Sequence, residues 1–266
     1  MIFHLSTYAQ LQVPMNVEKI QVVLLLGQSN MKGRGKVPEH QQPHDRIIYM
    51  NMANDQWYPA IHPLHTDGVP DLYDGISNAG VGPGLDFARM LVKKDKHTMV
   101  ALIPCARGGA WIDLWMPGKE MYENAVRRAQ VAVASFSDDM EVELSAVLWH
   151  QGESDAVAGR YDVYTDKLQR LIFSIRKDLD NPNLPFISGT LGSFLENKKD
   201  RFPYYIEINS SLLQMRDEVD NYACVDLSDL EGHIGDNVHF NTRSQQIIGE
   251  RYAKTFLKLT NTKCSK

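Results

Sequence analysis

Three short segments of the chain carry side chains whose types and spacing suit acyl transfer. Gly27-Gln28-Ser29-Asn30-Met31 places a serine hydroxyl directly after the apolar run Val22–Leu26. A strand ending there would turn into a helix-like start whose N–H groups can face an anion. Asp236-Asn237-Val238-His239 sets a carboxylate and an imidazole three residues apart. Within one turn the carboxylate can hold Nδ1–H, which leaves Nε2 free to act as general base toward a hydroxyl. Trp149-His150-Gln151-Gly152-Glu153-Ser154-Asp155 gathers polar groups behind another apolar run, and the Gln151 amide is suited to donate to an oxyanion. Taken singly, each segment has a plainer account. Ser29 reads as a turn or cap residue, Asp236 as a helix cap with an incidental histidine, and 149–155 as a solvated connector. The G-x-S-x-G nucleophile elbow is absent, because Met31 stands two residues after Ser29.

Two further segments could serve such a site. Asn78-Ala79-Gly80-Val81-Gly82-Pro83-Gly84-Leu85 opens a helical pattern, and its glycines allow close backbone approach and a second set of N–H donors. Pro104-Cys105-Ala106-Arg107-Gly108-Gly109-Ala110-Trp111 follows a third apolar run and continues to Trp115. It offers a candidate wall for substrate in Arg107, Gly108, Gly109 and Trp111, against the alternative that Trp111 and Trp115 pack in a small satellite core. His150, Glu153, Asp155, Asp236 and His239 contain metal-ligand types, but no H-E-x-x-H or paired-histidine helix spacing occurs, so no metal is expected. His4, His40, His44, His62, His65, His97 and His233 show no such spacing either and read as surface or packing residues.

The elements that must position these groups follow from periodicity. Strands are expected at Gln21–Leu26, Arg46–Met50, Thr98–Pro104, Leu144–His150, Pro185–Thr190 and Tyr222–Asp226, and helices at Pro83–Lys94, Tyr122–Ser135, Arg160–Asp178, Tyr204–Val219 and Thr242–Leu259. The runs VVLLL, VALI and AVLW lack in-and-out alternation, as strands covered by helices on both faces do. Strands alternating with helices imply an α/β chain with a parallel sheet. In a doubly wound sheet, a serine after the first strand and an Asp-x-x-His before the last helix reach the same carboxyl edge, where ligands bind. Residues 31–80, with five prolines and five glycines, are long for a connection and could roof a pocket there.

Composition narrows the class. The chain has 266 residues, 43% of them hydrophobic and 23% charged, which supports a full core in one domain, 1–266. Its net charge of −5, with no long basic block, disfavours nucleic acid as a partner. Three cysteines without CxxC spacing argue against a disulfide framework or a cysteine zinc site. No apolar run reaches membrane-spanning length, and Met1–Leu5 does not open like a secretory signal, so a cytoplasmic location is expected.

Together GQSNM (27–31), GVGPGLDFARML (80–91), WHQGESD (149–155) and DNVHFN (236–241) resemble the blocks of the SGNH hydrolases. Within that superfamily they are most similar to the branch of carbohydrate esterase family 6 and the sialate O-acetylesterase-like proteins, over residues 21–258. The segment at 104–110 resembles the branch's P-x-A-x-G-G-T loop, with Ala110 where Thr is common. The resemblance implies a three-layer αβα, flavodoxin-like doubly wound parallel sheet of about five strands in order 2-1-3-4-5. It implies a cofactor-free esterase acting on small acyl esters, O-acetyl groups of carbohydrates above all, with a small-molecule or oligosaccharide ester as its partner. Ser29 would be the nucleophile, His239 the acid/base and Asp236 its orienting carboxylate. The oxyanion would meet the Ser29 N–H, an N–H of Gly82 or Gly84, and the Gln151 amide. Gln28 joins Arg107, Gly108, Gly109 and Trp111 as a candidate substrate contact. Glu153 is the rival orienting acid or, failing that, a brace for the Ser29 turn. Asp236 is favoured because it shares the turn of His239, whereas Glu153 must order a longer stem from another loop. A silent carbohydrate binder, or a lipase or thioesterase on the same fold, is the alternative.

Overall fold

The computed structural model describes residues 13–65 and 78–261. A run of β-branched and aliphatic residues with no polar face can be satisfied only at the centre of a sheet covered on both sides. β1 (Lys19–Gly27) takes that place, and Val22 to Leu26 are inaccessible to solvent or nearly so. It pairs in parallel with β4 (Thr98–Pro104) on one side and β5 (Glu141–His150) on the other. β6 (Phe186–Gly189) and β7 (Tyr222–Val225) extend the sheet in parallel beyond β5. These five strands stand in the order β4-β1-β5-β6-β7, which is the 2-1-3-4-5 arrangement.

Among the described residues the sheet has seven strands rather than about five. β2 (Ile47–Met50), the strand expected at 46–50, adds in parallel to β4, and β3 (Trp57–Pro59) closes the edge antiparallel to β2. β3 has three residues and ends in a proline, which cannot donate to a ladder and is tolerated only at an edge. So short a segment carries no readable period. Of the expected 31–80 loop, residues 66–77 lie outside the described residues, and the rest holds the end of α1 (Ser29–Lys32), β2 and β3.

Helices cover both faces. α2 (Gly84–Lys94) buries Leu85, Ala88, Leu91 and Val92 along one stripe, with Asp86 in its first turn and Lys93 and Lys94 in its last, signs that suit the helix dipole. It packs with α6 (Thr242–Asn261), while α3 (Glu120–Ala134) lies over β1, β4 and β5. α4 (Tyr164–Asp178) and α5 (Tyr205–Gln214) complete the layers. Both are shorter than expected, because a 3₁₀ turn at Tyr161–Val163 precedes α4 and another at Met215–Asp217 follows α5. Among the described residues, no helix is long and apolar enough to cross a membrane.

The register fixes what meets at the carboxyl edge. Gly27 pairs with His150, and Leu25 with Pro104. The ladder then runs one step further, with Gln28 N–H on His150 O (2.9 Å) and Arg107 N–H on Gly27 O (3.2 Å). Ser29, Gln151 and Arg107 are thereby delivered at one level. Gly27 has φ +130°, and a Cβ there would collide with the His150 carbonyl, so only glycine lets β1 leave the sheet at this point.

Candidate active site

Directly after Gly27 the chain makes one helical turn, α1, whose first residue is Ser29. The first N–H groups of a helix have no acceptor within it, so the Ser29 amide is an orphan donor beside its own hydroxyl. Ser29 Oγ lies 2.9 Å from His239 Nε2, and His239 Nδ1 lies 2.5 Å from Asp236 Oδ2. The other Asp236 oxygen accepts the backbone N–H groups of Val238 and His239, at 2.9 and 3.0 Å. This carboxylate therefore shapes the turn and orients the ring at once. His233, read in the sequence as a surface or packing residue, steadies the same turn, with Nδ1 accepting N–H from Gly235 and Asn237.

Burial disfavours the charged imidazole of His239, and the charges of Arg34 and Arg201 push the same way. Asp236 opposes them, but the net shift is below the ordinary 6.5. Burial also penalises the Asp236 carboxylate, yet its hydrogen bonds from His239 and Val238 outweigh that and hold its pKa below the usual 3.8. At neutral pH the pair is an aspartate and a neutral histidine whose Nε2 can accept a proton from Ser29.

Glu153 does not approach His239. It is 2% exposed, and Oε1 accepts the Asn30 amide at 2.5 Å, so it braces the Ser29 turn. Burial pushes its carboxyl up to about 7; its own backbone N–H and Asn30 partly offset this, while Asp155 adds to it. Asp155 is likewise buried and pushed up to about 6, and it accepts N–H from the Gln151 side chain and from Ile112.

Gln151 departs from expectation. Its amide nitrogen donates to Asp155 and lies 3.2 Å from both Gln28 Oε1 and the Ala110 carbonyl. An amide has two N–H groups, and both are committed to protein acceptors rather than offered to a ligand. The cause is Asp155, a buried acid that needs donors. Gln28 also differs: it is 3% exposed, and its Oε1 receives the Gln151 amide and the Ser154 N–H, which makes it a link between the β1 and β5 loops. Of the two glycines, Gly82 packs against the Met31 carbonyl of α1 and against Gly33, the residue that follows it. Gly84 faces the core, where a Cβ would lie 2.6 Å from a Leu25 methyl.

At the rim, Arg107 and Gly108 are half-buried and Gly109 is exposed. Trp111 is half-buried, with the Arg160 guanidinium 4.0 Å over its ring. Trp115 is buried against Trp149 at 5.6 Å, edge to face. The residues weighed for a metal are separated in role. His150 is buried beside Phe240 with Nδ1 on the Tyr252 hydroxyl, and among the described residues no three metal-ligand types cluster. The sequence reading missed Asn30 and Gln245, both without solvent exposure. For Asn30 the signal was present in consecutive polar residues at the end of a buried strand, which the fold can hide only by satisfying them, whereas Gln245, within α6, gave no such signal.

This sheet order, with the serine loop after its first strand and the Asp-x-x-His turn before its last helix, is the SGNH hydrolase fold. Solved structures share it: NanS superposes with a TM-score of 0.74 at 18% identity, covering 92% of this chain and 99% of that one. A carbohydrate acetylesterase from Xanthomonas citri does so with a TM-score of 0.63 at 17% identity, covering 88% of this chain and 55% of that one. Within this class the chain belongs to the carbohydrate esterase, sialic acid-specific acetylesterase family, whose model matches residues 19–258. It is 32% identical over 256 residues to a probable carbohydrate esterase of Arabidopsis thaliana, covering 89% of this chain and 90% of the relative. The X-ray structure of the protein from that Arabidopsis locus superposes with a TM-score of 0.78, covering 91% of this chain and 98% of that one at 30% identity.

Proposed function

We propose that the protein is a serine esterase that hydrolyses small acyl esters of carbohydrates, O-acetyl esters first among them, through an acyl-Ser29 intermediate. The observation that carries this reading is the unbroken line from Asp236 through His239 to Ser29, at 2.5 and 2.9 Å. His239 Nε2 takes the hydroxyl proton as Ser29 Oγ bonds to the acyl carbon. The imidazolium, held in place by Asp236, then gives that proton to the sugar oxygen as the ester C–O bond breaks. In the second half a water gives a proton to His239 as its oxygen bonds to the acyl carbon, and the C–Oγ bond then breaks as His239 Nε2 passes that proton to Ser29 Oγ, which releases the carboxylic acid and restores the serine hydroxyl and the neutral imidazole.

The oxyanion is assigned to the Ser29 N–H and to Gly82, the glycine packed against the same turn. Each such donor contributes roughly 3 kcal/mol to the transition state. The family and the names of its relatives support an acetyl group and a carbohydrate alcohol, and the rim residues Arg107, Gly108, Gly109 and Trp111 are the surface we assign to that alcohol. The steps call for no cofactor.

The test pairs labelling with a substrate series. A fluorophosphonate should label Ser29 stoichiometrically, and p-nitrophenyl acetate should be cleaved faster than longer acyl esters. Acetylated sialic acid and acetylated xylan then distinguish the sugar. An unlabelled Ser29 with retained sugar binding points to a silent binder, and a preference for long acyl chains points to a lipase.

A further inference from the structure

Ser29 and His239 are 210 positions apart, and the second sits on an irregular loop, so their separation must be set by contacts between the two segments. The residue beside the serine supplies them. Asn30 is inaccessible to solvent, and its side chain brackets His239: Nδ2 donates to the Val238 carbonyl at 3.0 Å and Oδ1 accepts the Phe240 N–H at 3.1 Å. The second Nδ2 hydrogen goes to Glu153 Oε1, and the Asn30 carbonyl accepts the Gln245 amide of α6 at 3.0 Å. The amide cannot be turned over, because its nitrogen side faces two oxygens and its oxygen side faces an N–H.

The loop's own shape has other supports: His233 under Gly235 and Asn237, the Asn241 N–H on Gly232 O, and the Ser244 hydroxyl on Gly232 O. The bonds that join the two neighbours of His239 to the serine's turn are both made by Asn30. Removing them leaves a loop that can keep its shape yet drift relative to Ser29.

We propose that Asn30 and Glu153 form a positioning pair that sets the distance between Ser29 Oγ and His239 Nε2. The Glu153 carboxylate fixes the rotation of the Asn30 amide, and the amide fixes the residues on either side of the base. Neither side chain touches the reacting atoms. The inference rests on the esterase reading above and adds the device that aligns it. Carboxylate acceptors make the stronger hydrogen bonds, which suits an anchor that holds a loop to within a fraction of an ångström.

Asn30→Asp keeps the volume and the acceptor for Phe240 but turns an oxygen toward Val238 O, which has no proton to give, and toward Glu153, whose carboxyl is unprotonated in the assay at pH 9. In the double variant Asn30→Asp/Glu153→Gln, the new glutamine donates to the new aspartate and restores the pair with its polarity reversed. The measurements, at pH 9, are kcat and KM on p-nitrophenyl acetate, the rate of Ser29 labelling by a fluorophosphonate, and circular dichroism. Asn30→Asp is expected to lower kcat about 10²-fold with KM nearly unchanged, and to slow labelling in parallel, as a displacement of about 1 Å would. The double variant is expected to recover about tenfold in kcat, the worth of one buried hydrogen bond.

Wild-type kcat and labelling in Asn30→Asp, or a loss confined to KM, overturns the positioning role. A double variant no better than the single one overturns the pairing. If Asn30→Asp does not fold, Glu153→Gln carries the test: a kcat about five- to tenfold lower supports the pair, and an unchanged kcat overturns it. If Ser29 of the wild type is not labelled, the esterase reading itself falls, whereas a labelled wild type beside an unaffected Asn30→Asp overturns the pair alone.

Discussion

Glu153→Gln should make the protein more resistant to unfolding in alkaline than in acidic buffer, relative to wild type. Glu153 has an ordinary pKa of 4.5 in the unfolded chain and is pushed up to about 7 in the folded one, chiefly by burial. A carboxyl whose folded pKa is raised contributes stability that is fully present below 4.5 and is lost as pH rises through about 7. With those two values the linkage relation gives a loss of about 2.5 kcal/mol in the wild type between pH 5 and pH 8. The glutamine variant has no such proton to lose, so its stability relative to wild type should rise by about 2.5 kcal/mol over the same interval. Asp155, pushed up to about 6, is present in both proteins, and its titration cancels in the difference to first order. The assay is urea unfolding followed by tryptophan fluorescence at both pH values, with the slope m compared to establish that the unfolding reaction is the same. A stability difference that stays constant within about 0.5 kcal/mol would refute the reasoning, because Glu153 would then ionise alike in the folded and unfolded chains.

Asp236→Asn should lower kcat by a factor approaching ~10⁴, because an amide holds the wrong tautomer of His239, and the loss should exceed that of Glu153→Gln. A reversed order in steady-state assays would move the orienting role to Glu153. Because burial, with Arg34 and Arg201, lowers the His239 pKa, activity should fall on acidification with a midpoint below 6.5, and a pH profile of kcat/KM with a midpoint above that value would contradict the site's electrostatics. Gly27→Ala should cost more than about 4 kcal/mol or prevent folding, since the residue has positive φ and no room for a Cβ against the His150 carbonyl; a soluble variant with near-native Tm would refute the close approach.

The five central strands were legible because each is an apolar run that no exposed strand could tolerate, and their order followed from the family resemblance. β2 was expected at its place, but β3 was not, since three residues ending in Pro59 show neither alternation nor length. The 3₁₀ turns flanking α4 and α5 share the helical spacing of hydrophobic residues closely enough to read as one helix each. In the site, Asp236 and His239 were legible from a three-residue spacing that one turn enforces. The partners of Gln151 were not legible because a polar residue at a strand end gives no sign of which way its amide faces, and the amide turns to Asp155, four residues on. The link Gln28 makes to the β5 loop was hidden for the same reason, and Asn30 was missed because its partners lie 123 to 215 positions away.

The central claim is that an acyl group passes through Ser29. Rapid mixing with excess p-nitrophenyl acetate, an acid quench on the millisecond scale and peptide mass spectrometry would look for that species directly. The account predicts one added acetyl group on the peptide containing Ser29, formed in step with a burst of p-nitrophenol and absent from Ser29→Ala. Turnover of the ester at full rate by Ser29→Ala, or an acetyl group found only on another residue, would contradict it.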